Sequence, residues 1–333
     1  MLDYNHVENK FNNYLSSCYQ HAKDICGYSE IIKNNALLYE KKVSLISSSY
    51  RHSLRVVNGL LKLNKHLKLS ECNEDFLKVI GLIHDYGKYK QAIIHTSLND
   101  AEVYKNKGIK NHAEYGYLLL EEKHGFERLG IEEKYQPVIG TCIAYHHKED
   151  IPKIFTNEVV ELLQNKDFES LIKGNYDFNS DEINILALLL QMLTDVDKID
   201  VLYQRAIGEI KPIKNYNIKN SEMSFENLAV SQDFKEKIFL GEEITIQELR
   251  NYENYNFVYT LWWTISSILR NLNFTGSLKI IENQKILDKI YARYPKAYYP
   301  LINEIFSFAE VKLIEEKIKL NKDNIYIRKK ERK

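Results

Sequence analysis

An apolar run from Phe76 to Ile83 ends abruptly on His84 and Asp85, followed by Tyr86, Gly87 and Lys88. Leu77, Ile80 and His84 fall on one face at helical spacing, so an imidazole is carried into a buried surface with a carboxylate beside it in sequence. A desolvated charge or unpaired polar group is costly there, and something must satisfy it. A divalent ion does so economically. The plainer reading is a helix C-terminus with a capping histidine and a solvated aspartate. Taken alone, the pair favours that plainer reading, because short motifs recur by chance.

The rest of the chain changes the balance. Four more imidazole or carboxylate residues lie on apolar stripes of other expected helices. His52 is in line with Val56, Gly59, Leu60 and Leu63, and His112 with Gly116 and Leu119. His146 follows Ile139, Cys142 and Ile143. Asp197 continues the face of Ile183, Leu186, Leu190 and Leu193. A lone histidine on an apolar face is usually a satisfied core residue, but five expected helices aiming such groups inward is how helical bundles build metal sites. Imidazole and carboxylate without thiolate suit iron, manganese or another divalent ion better than a structural zinc.

The frame for these stripes is all-α. Of 333 residues only five are proline and thirteen glycine, 44% are hydrophobic, and no stretch alternates convincingly as strands do. Helical patterns cover about residues 5 to 47, with breaks expected near Gly27 and at Asn34 and Asn35. Ser47 to Ser49 read as the N-cap of the next helix. Tyr86 and Gly87 read as the end of the helix that carries His84, and residues 89 to 108 as a loop with one short helix. Asp150 to Pro152 close the His146 helix, and Ser180 opens the Asp197 helix. The Asn- and Lys-rich stretch Lys211 to Ser224 reads as a linker. These boundaries give one helical domain over residues 1–210 with N-terminal helices, and a C-terminal helical region over residues 225–333 packed on it. In that region Trp262 and Trp263 could be core, dimer interface of a homo-oligomer, or substrate wall, with core the default for large aromatics. A final helix is expected from about Ala297, and the basic tail from Arg328 reads as a solvated end.

Charge and cysteines narrow the classes. Lys plus Arg and Asp plus Glu each number 46, so zero net charge gives bulk nucleic-acid binding no support. Cys18, Cys26, Cys72 and Cys142 are scattered without C-x-x-C spacing and read as reduced core thiols. The polar N-terminus is unlike a signal peptide, and no apolar run reaches the roughly 18 residues of a membrane span. A cytoplasmic protein is expected.

The order His52, His84-Asp85, His112, His146, Asp197, with local contexts over about residues 45 to 205, resembles the HD superfamily of metal-dependent phosphohydrolases. The resemblance implies an HD-domain helical bundle in which His52, His84, Asp85 and Asp197 hold one metal. Asp85 would bridge to a second metal, held by His112 and His146. Manganese or iron is favoured, with magnesium, cobalt, nickel or zinc as alternatives. Asp195 and Asp200 lie close to Asp197, which is preferred for its helical phase and its Asp-Lys-Ile context. His147 could be a ligand, a phosphate contact or an exposed side chain. Lys88 could reach a substrate phosphate oxygen or serve the helix dipole, and Glu114 reads as a surface carboxylate rather than a proton shuttle. His6, His21, His66, His95 and His124 lack the stripe and motif context. No Gly-Tyr-Pro element follows His147, so a cyclic-di-GMP-specific subclass is unsupported. The expected activity is hydrolysis of a phosphomonoester or phosphodiester, most simply a nucleotide or similar small phosphate ester, through a metal-activated water. A non-hydrolytic nucleotide sensor and an HD-type diiron oxygenase are the alternatives.

Overall fold

A computed structural model describes residues 2–27, 32–69, 74–95, 109, 111–122, 124–147, 180–209, 268 and 272–292. Among these the protein is all-α, without a strand. The chain forms two compact units, Met1–Asp197 and Lys198–Lys333. The expected linker, Trp262 and Trp263, the final helix and the close at Asp150 to Pro152 lie outside the described residues.

In the first unit, α1 (Tyr4–Gly27) and α2 (Ile32–Leu67) precede two short helices, α3 (Glu74–Ile83) and α4 (Tyr86–Ile94). Then come α5 (His112–Glu122), α6 (Gly125–Arg128), a 3-10 turn at Glu133–Tyr135, and α7 (Gln136–Tyr145). The 28-residue α8 (Ser180–Ile207) carries Asp197. Two further helices, α9 (Thr275–Asn283) and α10 (Ile286–Tyr291), belong to the second unit.

The core forms where α2 packs on α1, α3 and α4, while α5 bridges α4 and α7. Val56, Leu60, Leu63, Leu77, Ile80, Ile139 and Ile143 are buried, as their stripes require. An aromatic stack secures α1: Tyr14 lies on Tyr86 with ring centroids 4.5 Å apart, and Phe11 meets Tyr89 edge-on at 5.4 Å. Close helix crossings occur where side chains are absent. A Cβ on Gly87 would collide with the His112 carbonyl and lie 2.8 Å from Gly116 N. On Gly59 it would collide with Val196 Cγ1.

Three boundaries differ from the sequence reading. Helix α2 runs unbroken through Asn34, Asn35 and Ser47 to Ser49. The serines need not cap a helix, because Ser48 Oγ donates to the Leu45 carbonyl at 2.9 Å and Ser47 Oγ meets Tyr19 Oη at 2.9 Å. Tyr86 and Gly87 begin a helix instead of ending one, which extends helical structure to Ile94. Lys42 Nζ donates to the Ile93 carbonyl, satisfying one of the acceptors exposed as α4 ends. Lys88 therefore sits in the first turn of a helix, where it cannot serve a C-terminal dipole.

Candidate metal centre

The break between α3 and α4 makes the site. His84 N–H bonds the Ile80 carbonyl at 2.9 Å and closes α3, while the Asp85 carbonyl accepts Lys88 N–H at 2.9 Å and opens α4. On a continuous helix two adjacent side chains diverge by about 100°. Here Asp85 has φ −96° and ψ 23°, outside the regular helix, and both side chains are fully buried, with His84 Nε2 3.5 Å from Asp85 Oδ2. His52 enters from the middle of α2, His112 from the first residue of α5, and His146 from the end of α7. Asp197 enters from α8, and all four are buried.

The two oxygens of Asp85 face different neighbours. Oδ2 lies 3.2 Å from His52 Nε2 and 3.5 Å from His84 Nε2. His52 Nε2 is also 3.0 Å from Asp197 Oδ1 and 3.2 Å from His84 Nε2. Oδ1 lies 3.0 Å from His112 Nε2 and 3.7 Å from His146 Nε2, and His112 Nε2 is 2.8 Å from His147 Nε2. Two groups of donor atoms result, each lying within 4.8 Å of one another: His52, His84 and Asp85, and Asp85, His112, His146 and His147. Asp197 adjoins the first group through His52, and its Oδ1 is 4.0 Å from His84 Nε2.

Tautomers show what these groups fit. His84 Nδ1 lies 2.8 Å from the Gly81 carbonyl, and His146 Nδ1 lies 2.7 Å from that of Ile143. A carbonyl only accepts, so both Nδ1 atoms carry the proton and both Nε2 atoms aim lone pairs inward. Each ring folds back on a carbonyl three residues earlier, near a helix end where such acceptors are left over. Thr194 Oγ1 donates to the His146 carbonyl at 3.0 Å and ties α7 to α8. A single proton on His52 Nε2 cannot satisfy Asp197 Oδ1, Asp85 Oδ2 and His84 Nε2 together. His146 Nε2 and both oxygens of Asp85 lack any well-aligned hydrogen bond, although Asp85 has cations and imidazoles at ion-pair distance. A buried, acceptor-rich cavity of imidazole and carboxylate fits a hard or borderline divalent cation.

The electrostatics agree with that fit. Burial alone would raise the Asp85 carboxyl, but Lys88 above all, then His84 and His112, outweigh it and hold it well below the usual range. Asp197 is likewise held down by its hydrogen bond and charge interaction with His52, then by His147 and His84, against the effect of burial. Burial lowers His84 to about 4, keeping the imidazole neutral and able to ligate. His147 is also pushed down, by desolvation on burial and then by His146 and His112. Because the residue as a whole is exposed, the neighbouring imidazoles are the firmer cause. Lys88 Nζ stands 2.7 Å from Asp85 Oδ2, with its side chain 19% exposed.

All six residues expected to hold metal come together in one buried cluster. His147 joins the His112 group, an arrangement that its sequence context left open among three readings. His6, His21, His66, His95 and His124 stand in neither group. Two supporting residues escaped the sequence reading. Asn111 Oδ1 accepts the Glu114 N–H at 3.0 Å and caps the helix that begins with His112. Tyr89 Oη meets Ser53 Oγ at 3.1 Å, joining α4 to α2 directly beside His52. The Asn-x-x-Glu spacing at the first turn was a readable signal for the former; nothing local announces the latter.

Residues 49–200 match the family model described as HD domain. No curated protein and no solved structure matches the chain.

Proposed function

We infer, from a chain whose residues 49–200 form an HD domain and which thereby belongs to the HD superfamily of metal-dependent phosphohydrolases, that it hydrolyses a small phosphate ester, most simply a nucleotide. The carrying observation is the division of Asp85, whose two oxygens face two separate imidazole groups. In this reading the His52 group with Asp197 holds one divalent ion, manganese or iron by preference, and the His112 group holds a second. Bound there, the ions would bring the pKa of a coordinated water towards neutrality and offset phosphoryl charge.

The chain's own residues set the geometry of that chemistry. Asp85 holds the two groups at a fixed separation, and the carbonyls of Gly81 and Ile143 fix the rings of His84 and His146. Lys88, at the border of cavity and solvent, meets a phosphate oxygen, and exposed His147 flanks it. The metal-binding domain in this reading spans residues 1–210, with residues 225–333 as an additional helical region. No described helix is long and apolar enough to cross a membrane.

The test is metal analysis of the purified chain, then a panel of nucleotides and phosphate esters with Mn, Fe(II), Co, Ni and Mg. Asp85→Ala is expected to abolish hydrolysis and metal retention while circular dichroism stays helical. Undiminished hydrolysis by that variant refutes the site assignment. Two bound ions without turnover across the panel would favour a nucleotide sensor, and bound iron with oxygen consumption an oxygenase.

A further inference from the structure

Lys88 reaches Asp85 through one of its two oxygens. Its Nζ is 2.7 Å from Asp85 Oδ2, the oxygen that faces His52 and His84, while Oδ1 faces His112 and His146. The lone pairs of Oδ2 are thus addressed from two directions, by an ammonium from the first turn of α4 and by whatever cation the His52 group gathers. An ammonium at 2.7 Å makes a close ion pair, and it lies where an ion bound to that oxygen would be its like-charged neighbour. Asp85 is fully buried, so that repulsion is weakly screened, whereas the partly exposed lysine has solvent to turn towards.

We propose that Lys88 competes with the ion of the His52 group for Asp85 Oδ2, so that phosphate capture by Lys88 and metal capture by that group assist each other. This rests on the two-metal reading above and adds an order to it. The His112 group, which gathers on Asp85 Oδ1 and not on the oxygen 2.7 Å from Lys88 Nζ, fills first and more tightly. The His52 group fills weakly until an anion draws the ammonium away from Oδ2. Coupling of this kind is reciprocal: phosphate raises the affinity for the second ion by the factor by which that ion raises the affinity for phosphate. The lysine thereby keeps the second ion scarce until a phosphorylated ligand arrives.

The experiment is calorimetric titration of the full, chelator-stripped chain with manganese, with and without inorganic phosphate below the solubility limit of its manganese salt. Wild type is expected to show two classes of site, with Asp197→Ala removing the weaker. Lys88→Met, with Lys88→Gln as a second variant should the first fold poorly, should tighten the weaker class roughly ten- to a hundredfold, the span typical of coupling between two sites. The tighter class should stay in place. Lys88→Arg, which keeps the charge, should leave the weaker class weak. Phosphate should tighten the weaker class more in wild type than in Lys88→Met. An unchanged or weakened manganese isotherm in Lys88→Met overturns the competition, as does equal tightening by Lys88→Arg. Were wild type to take up no manganese, iron or other divalent ion, the two-metal reading would fall together with this one. Metal uptake with an indifferent Lys88→Met removes this proposal alone.

Discussion

Replacing Gly87 by alanine tests whether a helix crossing controls the metal count. The new Cβ would lie 2.8 Å from Gly116 N and 3.2 Å from Gly116 Cα, and would collide with the His112 carbonyl. Ordinary contact begins at 3.4 Å, so α5 must retreat by at least about 0.6 Å at Gly116 and farther at His112. These obstacles are backbone, which cannot rotate aside as a side chain end can. Overpacking of this sort typically costs about 1–3 kcal/mol, offset by the roughly 0.5–1 kcal/mol that alanine gains over glycine within a helix. A net loss of up to about 2.5 kcal/mol follows, visible as a fall of up to roughly 10 °C in melting temperature.

The more specific effect is local. His112 starts α5 and stands 3.0 Å from Asp85 Oδ1, so a retreat of α5 opens the His112 group and leaves His52, His84 and Asp85 Oδ2 in register. On the two-metal reading, affinity for the ion of the His112 group should fall about ten- to a hundredfold, as when support behind a ligand is lost, with the other unchanged. Gly59→Ala should do the reverse. Its Cβ meets Val196, the neighbour of Asp197, and moves α2 against α8 on the His52 side. Elemental analysis after dialysis against graded metal buffers, paired with thermal melts, reads both quantities. Retention of both ions at full affinity by Gly87→Ala, or equal loss of both, would refute the reasoning.

Other outcomes follow from the same geometry. His147→Ala should weaken only the ion of the His112 group and shift the metal-free melting temperature little, since the exposed ring contributes little packing; equal loss of both ions would contradict its place in that group. In chelator-treated protein, the buried His84 titrates at about 4 against 6.5 when unfolded, so between those values the unfolded chain binds a proton that the folded chain refuses. Stability must therefore fall as pH drops from about 6.5 to 4, by roughly 3 kcal/mol for this group if it acted alone. The depressed carboxyls of Asp85 and Asp197 add losses at lower pH, when they too protonate. Urea midpoints measured from pH 7 to 4 check the sign, and a flat profile contradicts it. Tyr89→Phe leaves Ser53 Oγ buried without its partner and should cost about 1–2 kcal/mol by denaturant melts; no change would mean that the α2 to α4 bond carries no net weight.

The sequence announced His52, His84, His112, His146 and Asp197 because each repeats the period of its own helix, and a polar residue on an apolar stripe stands out against its neighbours. Their meeting around one cavity agrees with the HD match over residues 49–200. What escaped detection depends on relations that no single period encodes. Ser47 to Ser49 look like a cap, but hydroxyls that reach a helical carbonyl or a facing tyrosine need no helix end. Tyr86 and Gly87 look like a terminus because glycine commonly stops helices. Here the missing side chain instead lets α4 cross the backbone of α5. That error carried Lys88 with it: only a helix beginning at Tyr86 places its ammonium on Asp85 Oδ2. The role of His147 depends on how α7 ends relative to α5, a tertiary fact invisible to spacing along one segment.

The cluster also orders events in time. Its members are spread from His52 on α2 to Asp197 on α8, with every intervening helix of the site supplying a piece. A chain emerging from the ribosome completes α2 and the short helices around His84 and Asp85 well before Asp197 is free of the exit tunnel. Until then the cavity lacks a wall, and its buried carboxylate lacks part of its company. The full donor set is therefore assembled late in the life of the polypeptide, and a nascent chain cut short before α8 would carry the histidines of the cluster without Asp197.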